Sequence, residues 1–99
     1  MAAYIIVNYQ VDNPELYGEY MQGAAGALGI GDGAELVAFD TESEVVEGDT
    51  AGHQTVVIKF DSKEKAREVW ESDAYQAVVG KRHDATSRHF AVLVNGFGD

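Results

Sequence analysis

The stretch TVVIKFDSKEKAREVWESDAYQ, from Thr55 to Gln76, limits the fold more than any other part of this chain. From Thr55 to Phe60 every residue except Lys59 is β-branched or aromatic, which suits a central strand buried on at least one face. Asp61 or Ser62 can accept a hydrogen bond from the free amides of the next turn, and Glu64 follows Asp61 at capping-box spacing. A helix is therefore expected from about Lys63. Ala66, Val69 and the only tryptophan, Trp70, form an apolar stripe, while Lys63, Glu64, Arg67, Glu68 and Glu71 fall on the wetter side. Ser72 and Asp73 are cap-type residues and Tyr75 lies well around the axis from Trp70. The stripe thus predicts a break and a second short helix from about Asp73 to Arg82.

Upstream, Ala3 to Val11 alternates with the period of a strand, Ala3, Ile5, Val7, Tyr9 and Val11 on one face and Tyr4, Ile6, Asn8 and Gln10 on the other. The second face mixes apolar side chains with amides, which suits a semi-polar cavity or a subunit interface. Asn13 before Pro14 is a strong helix start, with Glu15 complementing the positive end of the helix dipole. The apolar residues from Leu16 to Leu28 continue that helix to Gly29, with some fraying expected in the glycine-bearing half after Gly23. The GxGxG string from Gly29 to Gly33 follows a helix and precedes a strand, the reverse of a dinucleotide-binding turn. Ala34 to Asp40 reads as a second strand with Val37 and Phe39 inward. Glu44 to Glu47 reads as a short arm before the Gly48-Asp49 turn. Arg88 to Val94 is the last strand, and Asn95 to Asp99 a tail.

The order β-α-β-β-α-β, with no internal repeat or linker, predicts one α+β domain over residues 1–99. It is a ferredoxin-like plait: a four-stranded antiparallel sheet with its helices on one face. Two such sheets facing each other make a dimeric α/β barrel. That arrangement puts Asn8, Gln10 and Lys59 between sheet and helix or in the barrel interior. A chain of 99 residues supports one modest core, and dimerisation would relieve its high surface-to-volume ratio. With no cysteine, disulfides, thiolate nucleophiles and cysteine-ligated metals are excluded. No basic-then-apolar leader or long apolar run is present, so a cytoplasmic location is expected.

All seven basic residues follow residue 58, so the first 58 carry the whole formal charge of −10. Such an acidic surface disfavours nucleic acid and anionic membrane as partners. Asp40, Glu42 and Glu44 would share a face of a straight strand, but without the loop spacing of a calcium site they read as a solvated hairpin. His53, His83 and His89 show no i, i+4 ligand spacing, and no metal or other cofactor is expected.

With these residues in place, the chain resembles the domain-of-unknown-function family 1330, within the dimeric α/β-barrel superfamily. The resemblance spans nearly the whole chain and rests on AYIIVNYQVDNPELYGEY, on EVVEGD from Glu44, on VVIKFDSKEKAREVWESDAYQ, and on Arg82 and Ala85 ahead of AVLVNG. It implies the plait, a homodimer and no established reaction; related families include cofactor-independent oxygenases and haem-degrading enzymes. Asn8 stands where that family often has an acid, and Glu35 and Ala38 occupy a region where it commonly carries arginines. Lys59, Arg82 and Arg88 are then the cations left for an anionic ligand. In the related haem-degrading enzymes a histidine lies about one helical turn earlier than His83, which argues against haem here.

The leading expectation is a small-molecule-binding protein, as an enzyme a cofactor-independent oxygenase or isomerase. Its pocket would lie between sheet and helices, lined by Asn8, Lys59, Trp70, Tyr75 and Arg82. Tyr75 and Arg82, seven apart on one helix face, could orient a carboxylate or phenolate. His83 and His89 are the candidates for acid-base work. Each has a purely structural alternative: Trp70 and Tyr75 as core, Arg82 paired with an acid, His83 as a cation at a helix C-terminus. The rival function is a non-catalytic homodimeric interaction module.

Overall fold

A computed structural model describes residues 1–98. Its elements run β1 (Ala3–Val11), α1 (Pro14–Leu28), β2 (Ala34–Asp40), β3 (Gln54–Phe60), α2 (Lys63–Trp70), α3 (Asp73–Ala85) and β4 (Thr86–Asn95). All strand pairs are antiparallel, in the order β2-β3-β1-β4, which is the ferredoxin-like plait. The most apolar strands, β1 and β3, take the two central places, as their β-branched content requires.

Local chemistry sets the helix boundaries. The Asn13 side chain accepts a hydrogen bond from the Leu16 amide (3.1 Å), and Gly29 closes α1 in the left-handed conformation at φ 76°. The helix is unbroken to Leu28, and Gly23 serves packing: a Cβ there would lie 3.0 Å from Val78 Cγ1 of α3. Ser62, rather than Asp61, caps α2 by accepting from the Lys65 amide (3.1 Å). Ser72 makes the break that follows. Its hydroxyl donates to the Val69 carbonyl (2.7 Å) and accepts from the Tyr75 amide (3.2 Å), ending one helix and starting the next.

Helix α3 runs three residues past Arg82, to Ala85, and passes into β4 without a loop. The Ala85 carbonyl accepts from the amides of Asp12 and Asn13, tying this junction to the end of β1. The β1–β4 register slips between Asn8 and Gln10, and within the extra length of β4 Arg88 adopts φ 56°. A second slip, between Leu36 and Ala38, changes the reading of β2. Leu36 and Phe39 pair with Ile58 and Val56 on the helix side, while Val37 is in the irregularity and half exposed. Glu44 to Glu47 form no strand; the segment 41–53 is irregular and folds across the end of the sheet. Asn95 closes β4 rather than opening a tail, and Asp99 lies outside the described residues.

The three helices cover one face of the sheet. The core holds Ile5, Val7 and Tyr9 of β1, Ile58 and Phe60 of β3, Tyr17, Tyr20, Ala24 and Leu28 of α1, and Ala66, Tyr75 and Val79 of α2 and α3. The other face carries Tyr4, Ile6, Val57, Phe90 and Val92 uncovered, the last two nearly half exposed. Among the described residues the one ion pair is Lys81 with Glu19 (3.6 Å), at the surface. No described helix is long and apolar enough to cross a membrane.

Candidate functional site

Alternation along β1 decides which side chains can meet. Odd-numbered residues point to the helices, as the Tyr9 hydroxyl shows by its 2.6 Å hydrogen bond to that of Tyr17 on α1. Even-numbered residues point away. Asn8 therefore faces the open side, where its amide donates to the Gly52 carbonyl (3.1 Å) and Thr55 Oγ1 (2.9 Å) and accepts from the Gly52 amide (2.7 Å). Those bonds fasten the 41–53 segment to the sheet. Lys59 pairs across the strands with Tyr4 and lies on that same open face. Neither residue joins Trp70, Tyr75 and Arg82.

Those three do come together. Trp70 and Tyr75 rings lie 4.7 Å apart, and the Arg82 guanidinium stands 5.8 Å from the Trp70 ring. Arg82 is also 5.2 Å from the Tyr9 ring and 5.8 Å from the Tyr20 ring, a cation set among π-faces. It is only 3% exposed, and its Nε has no hydrogen-bond partner among the described residues. No acid pairs with it there either, since the only ion pair described is Lys81 with Glu19. The tyrosines around it are coupled through their hydroxyls, Tyr9 with Tyr17 (2.6 Å) and Tyr20 with Tyr75 (2.7 Å).

Burial pushes the Tyr9 and Tyr20 phenols far toward the neutral form, partly opposed by the nearby Arg82 charge, and it raises the Tyr17 pKa too, opposed there by the hydrogen bond with Tyr9 and by Arg82. At neutral pH they act as hydrogen-bonding phenols and cannot serve as bases. Beside this cluster a cavity of about 80 Å³ opens between α1 and β2, lined by Tyr9, Tyr17, Tyr20, Trp70, Ile58 and Leu28 among others. Its half-exposed rim is Met21, Leu36 and Phe39.

His83 and His89 meet elsewhere. Their rings stack 5.3 Å apart where the end of α3 faces the irregular part of β4, and neither lines the cavity. Partial burial, the Arg82 charge and the His89 ring lower the His83 pKa, with Asp84 opposing. Arg88 donates to the Asp49 carbonyl (3.3 Å), at the open side of the 41–53 segment. No group of three or more acids and histidines is gathered into a metal centre among the described residues.

Sequence reasoning missed Tyr9, Tyr17, Tyr20 and Gln54 as site residues. The first three carried a signal: Tyr9 falls on the apolar face of its strand, and Tyr17 and Tyr20 sit three apart on the apolar face of α1. Phenols at inward positions need partners, and here they find one another. Gln54 gave none, because its inward side depends on the strand register, which pairs it with Tyr9.

The model of the family described as Domain of unknown function (DUF1330) matches residues 2–97. No curated protein matches the chain. Among solved structures, a protein of unknown function from Rhodopseudomonas palustris is similar at TM-score 0.76 and 11% identity, covering 99% of this chain and 84% of that one. A dimeric ferredoxin-like protein of unknown function from Thermobifida fusca is similar at TM-score 0.67 and 14% identity, over 97% of this chain and 92% of that one. SnoaB from Streptomyces nogalater, a cofactor-independent oxygenase solved as a mutant, gives TM-score 0.67 at 10% identity, over 99% and 95% of the two chains. At such identities the shared property is the fold, whereas the family match spans the strands, the helices and the residues of the tyrosine cluster, so the chain belongs to the DUF1330 family.

Proposed function

We propose that this protein binds a small organic molecule in the cavity between α1 and the sheet, and that it does so as a homodimer joined through the open sheet face. The observation that carries the reading is an apolar cavity beside a buried cluster of hydrogen-bonding phenols and one arginine. Ligand pockets characteristically combine apolar walls with a few convergent polar groups. Uncovered Ile6, Val57, Phe90 and Val92 supply the apolar surface a second sheet would bury, and a similar fold from Thermobifida fusca is dimeric.

As an enzyme, the protein would act as a cofactor-independent oxygenase or isomerase, in line with the fold it shares with SnoaB. The chemistry would then fall to the neutral Tyr9, Tyr17 and Tyr20 that line the cavity, with the Arg82 charge next to the Tyr9 and Tyr20 rings, since His83 and His89 lie away from it. The rival reading, a non-catalytic homodimeric module, draws on the same open face and leaves the cavity without a role.

Native mass spectrometry of protein taken gently from its own host, with small-molecule analysis of what denaturation releases, tests both parts. A dimer carrying a defined organic molecule is the expected result. A dimer with nothing bound and no response of Trp70 fluorescence to small aromatic ligands supports the module, and a monomer refutes the barrel.

A further inference from the structure

Resting on the small-molecule reading of the cavity, we propose a ligand class: an organic monoanion, with its charge on oxygen and a flat or short apolar body. Three observations converge on it. Arg82 is a buried, permanently charged group with no acid paired to it among the described residues, a state that is costly unless something compensates the charge. Aromatic faces attract the guanidinium but cannot satisfy its hydrogen-bond donors in its plane.

The second observation is a matching surplus of donors. Arg82 Nε and Gln54 Nε2 are buried without partners among the described residues, in side chains 3% and 2% exposed. Both flank Tyr9: Gln54 as its partner across the strands, Arg82 at 5.2 Å from its ring. The third is the tyrosine pairing itself. Each hydroxyl pair consumes one hydrogen and leaves the other free, so Tyr9 with Tyr17 and Tyr20 with Tyr75 offer two further O–H donors. A cation-binding or purely apolar site would not gather one positive charge and spare donors around a single ring.

Neither Arg82 nor Gln54 lines the cavity itself, so the charge of the ligand is set toward its Tyr9 end, where both flank the ring, and its body toward Met21, Leu36 and Phe39. A volume of about 80 Å³ restricts that body to about one ring or a short alkyl chain. Carboxylates and phenolates share this chemistry, and two probe sets separate them.

Trp70 fluorescence titrations compare phenylacetate with 2-phenylethanol, its neutral near-isostere. Absorbance titrations follow 4-nitrophenol, whose spectrum distinguishes phenol from phenolate. The expected result is that phenylacetate binds at least about tenfold tighter than the alcohol, or that 4-nitrophenol binds ionised below its free pKa. Arg82→Met should abolish that preference while the neutral probe still binds, and Arg82→Lys should restore part of it. Equal binding of charged and neutral probes, with 4-nitrophenol bound as the phenol, overturns the anion assignment and leaves the cavity reading standing. Absence of binding by every probe overturns both. If Arg82→Met does not fold, the comparisons on the wild-type protein decide alone.

Discussion

The two faces of the sheet each bury a polar group, and they treat it in opposite ways. On the open face Asn8 is 6% exposed, with its amide bonded to both backbone groups of Gly52 and to Thr55. On the helix face Arg82 is 3% exposed, with an unpartnered Nε and no acid paired to it among the described residues. A satisfied amide that ties a loop to a strand is a structural device. An unsatisfied cation beside a cavity is stability given up, and the proposed anion would recover it. The contrast separates residues that hold the fold from those that serve a ligand, which residue type alone does not do.

The largest expected effect tests the structural face. A Cβ on Gly52 would collide with backbone, meeting the Tyr9 carbonyl group and the Gln10 nitrogen. Gly52→Ala should cost about 3 kcal/mol or more, read as a drop in the denaturation midpoint, because the 41–53 segment must undock. Asn8→Leu comes next at about 2 kcal/mol, since it strands the Gly52 amide and carbonyl. Neither change should alter ligand preference in the cavity.

Arg82→Met should behave in the opposite sense, changing stability by no more than about 1 kcal/mol in either direction, because it removes an uncompensated charge along with its cation–π contacts. A loss comparable to that of Asn8→Leu would show that Arg82 is a structural element and erase the contrast.

Alkali probes the same face. Burial raises the pKa of Tyr9, Tyr17 and Tyr20 in the folded state. A folded-state pKa above the unfolded one means that the stabilisation is complete below about pH 10 and is lost as pH rises beyond it. Phenolate absorbance from the buried set should therefore appear together with loss of circular dichroism. Ionisation well ahead of unfolding would show that the cluster is open to water.

The smallest effect belongs to His83, whose folded pKa is lowered chiefly by partial burial. The unfolded state then binds more protons, so stability falls as pH drops from about 6.5 toward the folded value, below which the loss levels off. His83→Gln should flatten that slope, measured as the denaturation midpoint against pH.

The fold was legible because strong local signals agreed with one another: Asn13-Pro14, the strand from Thr55 to Phe60, and the Ser72 break each specify their own geometry. Trp70, Tyr75 and Arg82 were legible as a group because they share two short helices. Asn8 was placed on the mixed face correctly, yet its partner Gly52 lies 44 residues away across an irregular segment that no periodicity marks. Val37 was read as inward because simple alternation cannot register the irregularity in β2. Glu44 to Glu47 read as an arm because β-branched residues beside a turn signal look the same whether or not a partner strand exists.

The pair between Lys81 and Glu19, alone among the described residues and roughly half exposed on both sides, is too wet to contribute much. Against a formal charge of −10 it leaves the acidic surface largely in self-repulsion. Dissolved salt therefore acts on this molecule as a counter-charge its own sequence does not supply: moderate ionic strength should firm the fold and ease the approach of two equally acidic chains.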